Sequence, residues 1–303
     1  MIDRTNFGPT DIVVIKPNLC DVQSAETGTT TSPALVRGVI KVLREKQVKD
    51  IVIVESDHQA GTADECFERL GYCDLAEELG VRTLNLSREP TVKIEFEGFF
   101  FKEFDLPEVF LHCTKFISIP KIKTHTTPVL WKQTMTCAMK NQFGLIPQRY
   151  KSKYHPFLPE ILADLNTLFQ PDAVVVDGII AMEGLGPGAG KPKRLQLVLF
   201  GDDPIAVDTI VARLMGLSPN TVPFLRFCSK KKLAPRRINV VGERLEDVKT
   251  LFDLPKRALK QRFFQTMGAK FAKSAHKTNN MLARLSELSV KASSASMSDT
   301  LQY

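Results

Sequence analysis

The chain has 303 residues, of which 43% are hydrophobic and 25% charged, proportions of a folded globular protein that exclude a disordered or fibrous one. Its length suits one large or two modest domains, and no run approaches the roughly 18 apolar residues a membrane span requires. The net charge of +7 favours anionic partners without separating a small phosphorylated or carboxylated ligand from nucleic acid.

The basic excess lies in the segment from Lys256 onward, where Lys and Arg far outnumber the acids Glu287 and Asp299, so the preceding body is about neutral. At the other end, MIDRTNFGPTD lacks the basic region and apolar core of a secretory signal, and the expected location is cytoplasmic. Cys20, Cys66, Cys73, Cys113, Cys137 and Cys228 are scattered with no C-x-x-C pair. Reduced, mostly buried thiols are expected, and neither a disulfide framework nor an iron–sulfur cluster is.

Asp11 to Lys16 and Asp50 to Glu55 are short β-branched runs, and between them Leu35, Val36, Val39, Ile40 and Leu43 recur at helical spacing from about Pro33 to Glu45. This is a βαβ unit with a right-handed crossover, and Ser32-Pro33 suits the N-cap and first turn of its helix. Gly61 to Leu79 reads as two short helices broken at Gly71, followed by a strand over Val81 to Leu86. Val92 to Glu97 and Phe99 to Phe104 form a hairpin about Gly98, and Lys115 to Ile119 is a further strand.

A helix-like run carrying Trp131, Met135 and Met139 at core spacing then leads to Lys140-Asn141 and a turn at Gly144. The pattern continues with a helix over Phe157 to Phe169 and a strand over Ala173 to Ile180. A shaped Gly/Pro loop is expected over Ala181 to Lys193, then a strand over Leu195 to Phe200. Helices are expected from Asp203-Pro204 to Gly216 and over Thr221 to Lys231, and a last strand over Ile238 to Val241.

The fold class is therefore α/β, with mainly parallel strands and helices on both faces. Residues 1–255 form the α/β domain, as two lobes meeting near 105–155. Residues 256–303 form a basic helical tail with a Ser-rich, disordered end, in which Phe263, Phe264, Met267 and Phe271 give a helix an apolar side.

The stretch from Pro120 to Pro147 concentrates reactive side chains. Lys121, Lys123 and His125 alternate after a strand, so an extended backbone would put all three on one side, where clustered cations bind an anion or lower a lysine pKa. Lys123, His125 and Lys140 are the candidate catalytic residues, with His125 as acid or base. Lys16 and Asn18 end the first strand, where open α/β sheets present ligand-contacting groups, and Thr29 and Thr30 precede the next helix. With Lys121, Asn141, Gly184, Gly186 and Gly188 they make up the candidate ligand-binding set. Glu55, Asp177, Glu183 and Asp208 could bring carboxylates to one rim and hold a divalent metal. The basic-aromatic patch from Arg149 to His155 could close over a ligand or be a solvated connection.

IKPN at 15–18, GTTTSP at 28–33, IPKIKTH at 119–125, MKNQFG at 139–144, DGIIAMEGLGPGAGKP at 177–192 and DDPIAVDTIVARLMG at 202–216 together resemble the DUF362 family. The resemblance spans residues 11 to about 242 and implies a motif map rather than a mechanism, because the family is largely uncharacterised. Some members carry an appended ferredoxin-like module, and that function does not transfer to a chain without its cysteines.

Three functions follow. The first is an enzyme or binder of a small anionic metabolite, with Lys121, Lys123 and Lys140 neutralising charge beside the 183–190 loop. The second is a redox accessory or scaffold acting through a protein partner. In the third, the basic tail contacts nucleic acid or a membrane surface.

Overall fold

The computed structural model describes residues 6–125 and 134–254, all of which fall within one compact unit. Trp131 and the helix expected after Lys256 lie outside the described residues. The chain opens with β1 (Ile12–Pro17), α1 (Pro33–Glu45), β2 (Asp50–Glu55), α2 (Ala63–Arg69), α3 (Tyr72–Leu79) and β3 (Arg82–Asn85). It continues through β4 (Thr91–Glu95), β5 (Glu103–Pro107), α4 (Val109–His112), β6 (Lys115–Ile119), β7 (Lys121–His125), β8 (Thr134–Thr136) and α5 (Ala138–Asn141). After these come α6 (Leu158–Leu168), β9 (Ala173–Glu183), β10 (Lys191–Gly201), α7 (Pro204–Leu214), α8 (Pro223–Lys230) and α9 (Leu245–Val248).

Eight strands form one mixed sheet in the order β3-β2-β1-β6-β9-β7-β8, with β10 on β9, and β4-β5 form a separate ribbon. The pairings β1–β2, β1–β6, β2–β3, β6–β9 and β7–β9 are parallel, while β8 and β10 run antiparallel to their neighbours. The α/β architecture is as the alternation of elements predicts. Its least ordinary part is the segment 115–125, which runs past Pro120 so that β6 lies between β1 and β9 while β7 lies between β8 and β9.

Alternation along the strands explains the layering. Val13, Ile15, Ile51, Ile53, Ile117, Ile119, Ala173 and Val175 point into one core with α1, α2 and α3. Their neighbours Val14, Val52, Val54, Phe116, Val174 and Val176 are buried as well, so the sheet is covered on both faces. That is why these strands read as continuous apolar runs.

Local polar groups set the element ends. Thr62 caps α2 by accepting from the Glu65 N–H at 3.2 Å, and Asp203 caps α7 by accepting from the Ile205 and Ala206 N–H groups at 2.7 and 3.0 Å. Ser32 occupies the N-cap position of α1, but its side chain makes no capping bond. Its N–H donates instead to Asp177 across the sheet at 2.8 Å.

Three expectations are corrected. The helix-like run before Lys140 contains strand β8, so Met135 is buried through sheet pairing with β7 rather than on a helical stripe. The Gly/Pro loop expected over Ala181 to Lys193 is shorter, spanning 184–190: β9 continues to Glu183 and β10 starts at Lys191, because cross-strand pairing takes both of its ends. Ile238 to Val241 has no regular structure, and Val240 and Val241 are exposed, so no second face is available to bury a strand there.

Besides ring contacts such as Phe104 with Phe169, a carboxylate ties the ribbon β4-β5 to the body. Buried Asp164 on α6 accepts from the N–H groups of Phe99, Phe100 and Phe101 at 2.7, 2.8 and 3.0 Å. A side chain on Gly98 would collide with it. Orphaning buried N–H groups costs about 1–3 kcal/mol each, so Asp164→Ala should lower the melting temperature by about 5–10 °C, with Asp164→Asn intermediate. Thermal unfolding followed by circular dichroism checks this, and an unchanged midpoint would refute the anchoring role.

Candidate functional site

At the carboxyl ends of the parallel strands the chain surrounds a cavity of about 280 Å³. β1 supplies Lys16, β2 supplies Glu55, β7 supplies Lys123 and His125, β8 supplies Thr136, and α5 supplies Lys140 and Asn141. Arg149, Lys151 and His155 come from the connection before α6. Five Lys or Arg side chains therefore face the cavity with a single carboxylate, Glu55.

That carboxylate is already engaged. Lys16 Nζ lies 2.7 Å from Glu55 Oε2, with both side chains almost fully buried. The same ammonium donates to the Pro17 carbonyl at 2.9 Å and to Asn141 Oδ1 at 3.4 Å. Glu55 also accepts from the N–H groups of Leu19 at 3.1 Å and Ser56 at 3.0 Å. Gly144 passes so close to this pair that a side chain there would meet Glu55 Oε1 and Lys16 Nζ.

Lys123 is fully buried and is held entirely by uncharged partners: Asn18 Oδ1 at 2.6 Å, the Thr29 carbonyl at 2.8 Å and Cys20 Sγ at 3.1 Å. Lys151 Nζ donates to Ser56 Oγ and, at 2.9 Å, to the Asp57 carbonyl; burial brings its pKa down to about 8. Lys140 makes no hydrogen bond or ion pair with any carboxylate among the described residues, and its ammonium stands 4.1 Å over the Phe143 ring. Removal from bulk water, reinforced by Lys123, Lys151 and Lys16, brings it from 10.5 down to about 7.

Two further groups complete the wall. Burial and the nearby Lys140 charge push His155 down to about 4, leaving it neutral at ordinary pH. Thr136 Oγ1 is buried in the cavity wall without a hydrogen-bond partner among the described residues. Neither Thr136 nor Lys151 stands out in sequence as more than a strand threonine and a loop lysine. The basic-aromatic stretch RYKSKYH carries the usable signal: Lys151 and His155 turn inward, Arg149 borders the cavity from an exposed position over the Tyr150 ring, and Tyr150 and Lys153 are exposed.

Of the sequence-predicted residues, Lys16, Asn18, Lys123, His125, Lys140, Asn141 and Glu55 meet at the cavity. Lys121 does not, because the β7–β9 register shifts between Lys121 and Lys123 and the bulge turns Lys121 to Asp177 at 2.9 Å. Burial lowers the Lys121 pKa even with that partner. Thr29 and Thr30 are buried but face their own loop, Thr30 Oγ1 donating to the Gln23 carbonyl at 2.7 Å.

The loop glycines act through the backbone. Gly184 has φ +79°, Gly186 lies against the Thr124 carbonyl too closely for any side chain, and Gly188 accepts from Gln23 at 3.0 Å; only Pro187 of this loop reaches the cavity.

The four carboxylates expected at one rim are separated. Glu55 pairs with Lys16, Asp177 with Lys121, and Glu183 with Lys193 at 2.7 Å. Partial burial would raise the Glu183 carboxyl, but Lys193 and the Asp253 N–H outweigh it and hold it below its ordinary value. Asp208 accepts from the Ala138 and Met139 N–H groups at 2.7 and 3.0 Å, and burial brings it up to about 7. Among the described residues no group of three or more His, Cys, Asp or Glu side chains is placed to hold a metal ion.

The six cysteines are free thiols: Cys66, Cys137 and Cys228 are buried, Cys20 and Cys113 are half-buried, and Cys73 is exposed. Burial raises the thiol pKa of Cys137, and that of Cys113 to about 11.

A family model described as a domain of unknown function (DUF362) matches residues 13–213. The chain belongs to the DUF362 family. It is 27% identical over 235 residues to a thylakoid-associated protein of Synechocystis sp., an alignment covering 75% of this chain and 70% of that relative. Among the described residues of this DUF362 protein, no helix is long and apolar enough to cross a membrane.

The Lys140 environment carries a stability signature. Between about pH 7 and 10.5 the unfolded chain binds a proton at this position that the folded chain does not, so Lys140 makes stability rise with pH across that window. Its destabilising effect is fully present below pH 7 and fades as pH rises toward 10.5. Lys140→Met should therefore raise the melting temperature by more at pH 6 than at pH 9. An equal gain at both would show that Lys140 is not depressed.

Proposed function

We propose that the cavity binds a small anionic metabolite, phosphorylated or carboxylated, which the protein holds or transforms in the cytoplasm. The observation that carries this reading is the charge balance of the wall: Lys16, Lys123, Lys140, Arg149 and Lys151 face one carboxylate, itself committed to Lys16. Outside the cavity, buried lysine charge is answered by carboxylate, as Lys121 is by Asp177. Lys123 and Lys140 lack such an answer, and cations kept in a low-dielectric pocket without a counter-charge are costly unless a ligand supplies it. The unpaired hydroxyl of Thr136 adds a neutral donor for a ligand oxygen.

The division of labour is then electrostatic. Lys123 and Lys140 neutralise charge, Lys16 is fixed by Glu55 and shapes the wall, and His125 or the neutral His155 is available to accept a proton. Inorganic phosphate at constant ionic strength should raise the melting temperature saturably, more at pH 6.5 than at pH 8.5 as Lys140 loses its charge. Lys140→Met and Thr136→Val should weaken the effect. No shift with phosphate, pyrophosphate or citrate at either pH would refute the reading.

The thylakoid association of the Synechocystis relative favours a second contact. We propose that the basic segment from Lys256 onward meets an anionic membrane surface. The full chain should sediment with vesicles containing anionic lipid at low salt but not with neutral vesicles, and substitution of Lys256, Arg257, Lys260 and Arg262 by Glu should abolish this. Retained sedimentation in that variant would refute it.

A further inference from the structure

Lys140 differs from every other lysine at the cavity in what its nitrogen touches. Lys16 has Glu55, Lys123 has two oxygens and a sulfur, and Lys151 has Ser56 and the Asp57 carbonyl. Lys140 has the face of Phe143 and open cavity. Hydrogen bonds engage the nitrogen of each of these three anchored lysines. The unanchored one is free to present a lone pair.

The surroundings favour that neutral amine. Lys123, Lys151 and Lys16 repel a further positive charge, Cys20 alone of the interacting groups favours it, and His155 beside the site is neutral. With the pKa at about 7, half of the Lys140 side chains are free amine at neutral pH, about a thousandfold more than for a lysine at 10.5. An amine in this setting, next to an anion-binding wall, has the two properties that imine formation requires.

We propose that Lys140 forms a Schiff base with the carbonyl carbon of a small aldehyde or ketone that also carries a phosphate or carboxylate. This rests on the anion-binding reading above and names the substrate class of that cavity. The nitrogen lone pair attacks the carbonyl carbon while the carbonyl π pair moves to oxygen, which gains a proton as nitrogen loses one, giving a carbinolamine. The nitrogen lone pair then forms C=N as the hydroxyl leaves with a proton from Lys151, as water, and the resulting iminium returns its N–H proton to the Lys151 amine. The sum is amine plus carbonyl giving imine plus water, with no change of oxidation state. Lys123 and Arg149 meet the anionic end, and Lys151, still mostly protonated at pH 7, is a proton donor in the same cavity for the departing hydroxyl.

The test is reductive trapping on the full chain. Glyoxylate or glycolaldehyde phosphate is added with sodium cyanoborohydride, and the adduct is located by peptide mass spectrometry. The expected result is label on Lys140 in excess over each exposed lysine, on the order of tenfold, rising from pH 6 to pH 8 and suppressed by inorganic phosphate. Butyraldehyde, which has no anion, should label Lys140 less than glyoxylate does, and phosphate should not suppress that label. Lys140→Arg cannot be trapped, so it should lose the adduct. Label spread over surface lysines while phosphate still stabilises the protein overturns the Schiff base and leaves anion binding standing. Spread label with no phosphate effect overturns both.

Discussion

The buried pair of Lys16 and Glu55 is the constraint around which the strand ends are arranged. It joins β1 to β2, takes the N–H groups of Leu19 and Ser56, and through Asn141 reaches Ser118 on β6, where the amide donates at 2.9 Å. Two charges removed from water repay their desolvation only when nearly every lone pair and proton finds a partner, and here they do. Gly144 must lie flat against the pair, which fixes the turn after α5 and hence where the Lys140 side chain begins. A pair whose energetic return is small can still dictate the placement of everything in contact with it.

Around that fixed point, a body of about neutral charge builds a locally cationic cavity by segregation rather than excess. Asp177, Glu183 and Asp208 are each turned away to a lysine or to backbone N–H groups. Net charge therefore says little about such a site. What matters is which carboxylates have been given other work.

This also explains what could be read from the sequence. Regular elements with period-2 or helical patterns, such as β2 over Asp50 to Glu55 and α1 over Pro33 to Glu45, are legible because local burial and local spacing agree. Lys123, His125, Lys140 and Asn141 are legible as a cluster because the chain keeps them within one stretch. Lys121 is misread because a bulge, set by pairing with β9, breaks the alternation that extended residues normally obey. The glycines of the 184–190 loop look like ligand contacts but are demanded by backbone approach, and Thr136 acquires significance only through the neighbours that leave its hydroxyl unpaired. Long-range register and partner exchange, which local pattern does not encode, account for these differences.

The excursion from Asn18 to Ser32 has a consequence for how this family could diversify. It is pinned by bonds to the far side of the sheet: Thr31 Oγ1 donates to the Ile119 carbonyl at 2.7 Å, the Ser32 N–H to Asp177, and Lys123 to the Thr29 carbonyl. The segment that frames the cavity mouth thus supplies the acceptors that allow Lys123 to be buried at all. Lengthening or shortening it would strip a cation of its partners as well as reshape an opening. Variation in ligand preference is more easily accommodated on the opposite side, along the connection bearing Arg149, Lys151 and His155, whose exposed residues tolerate exchange without unseating a buried charge.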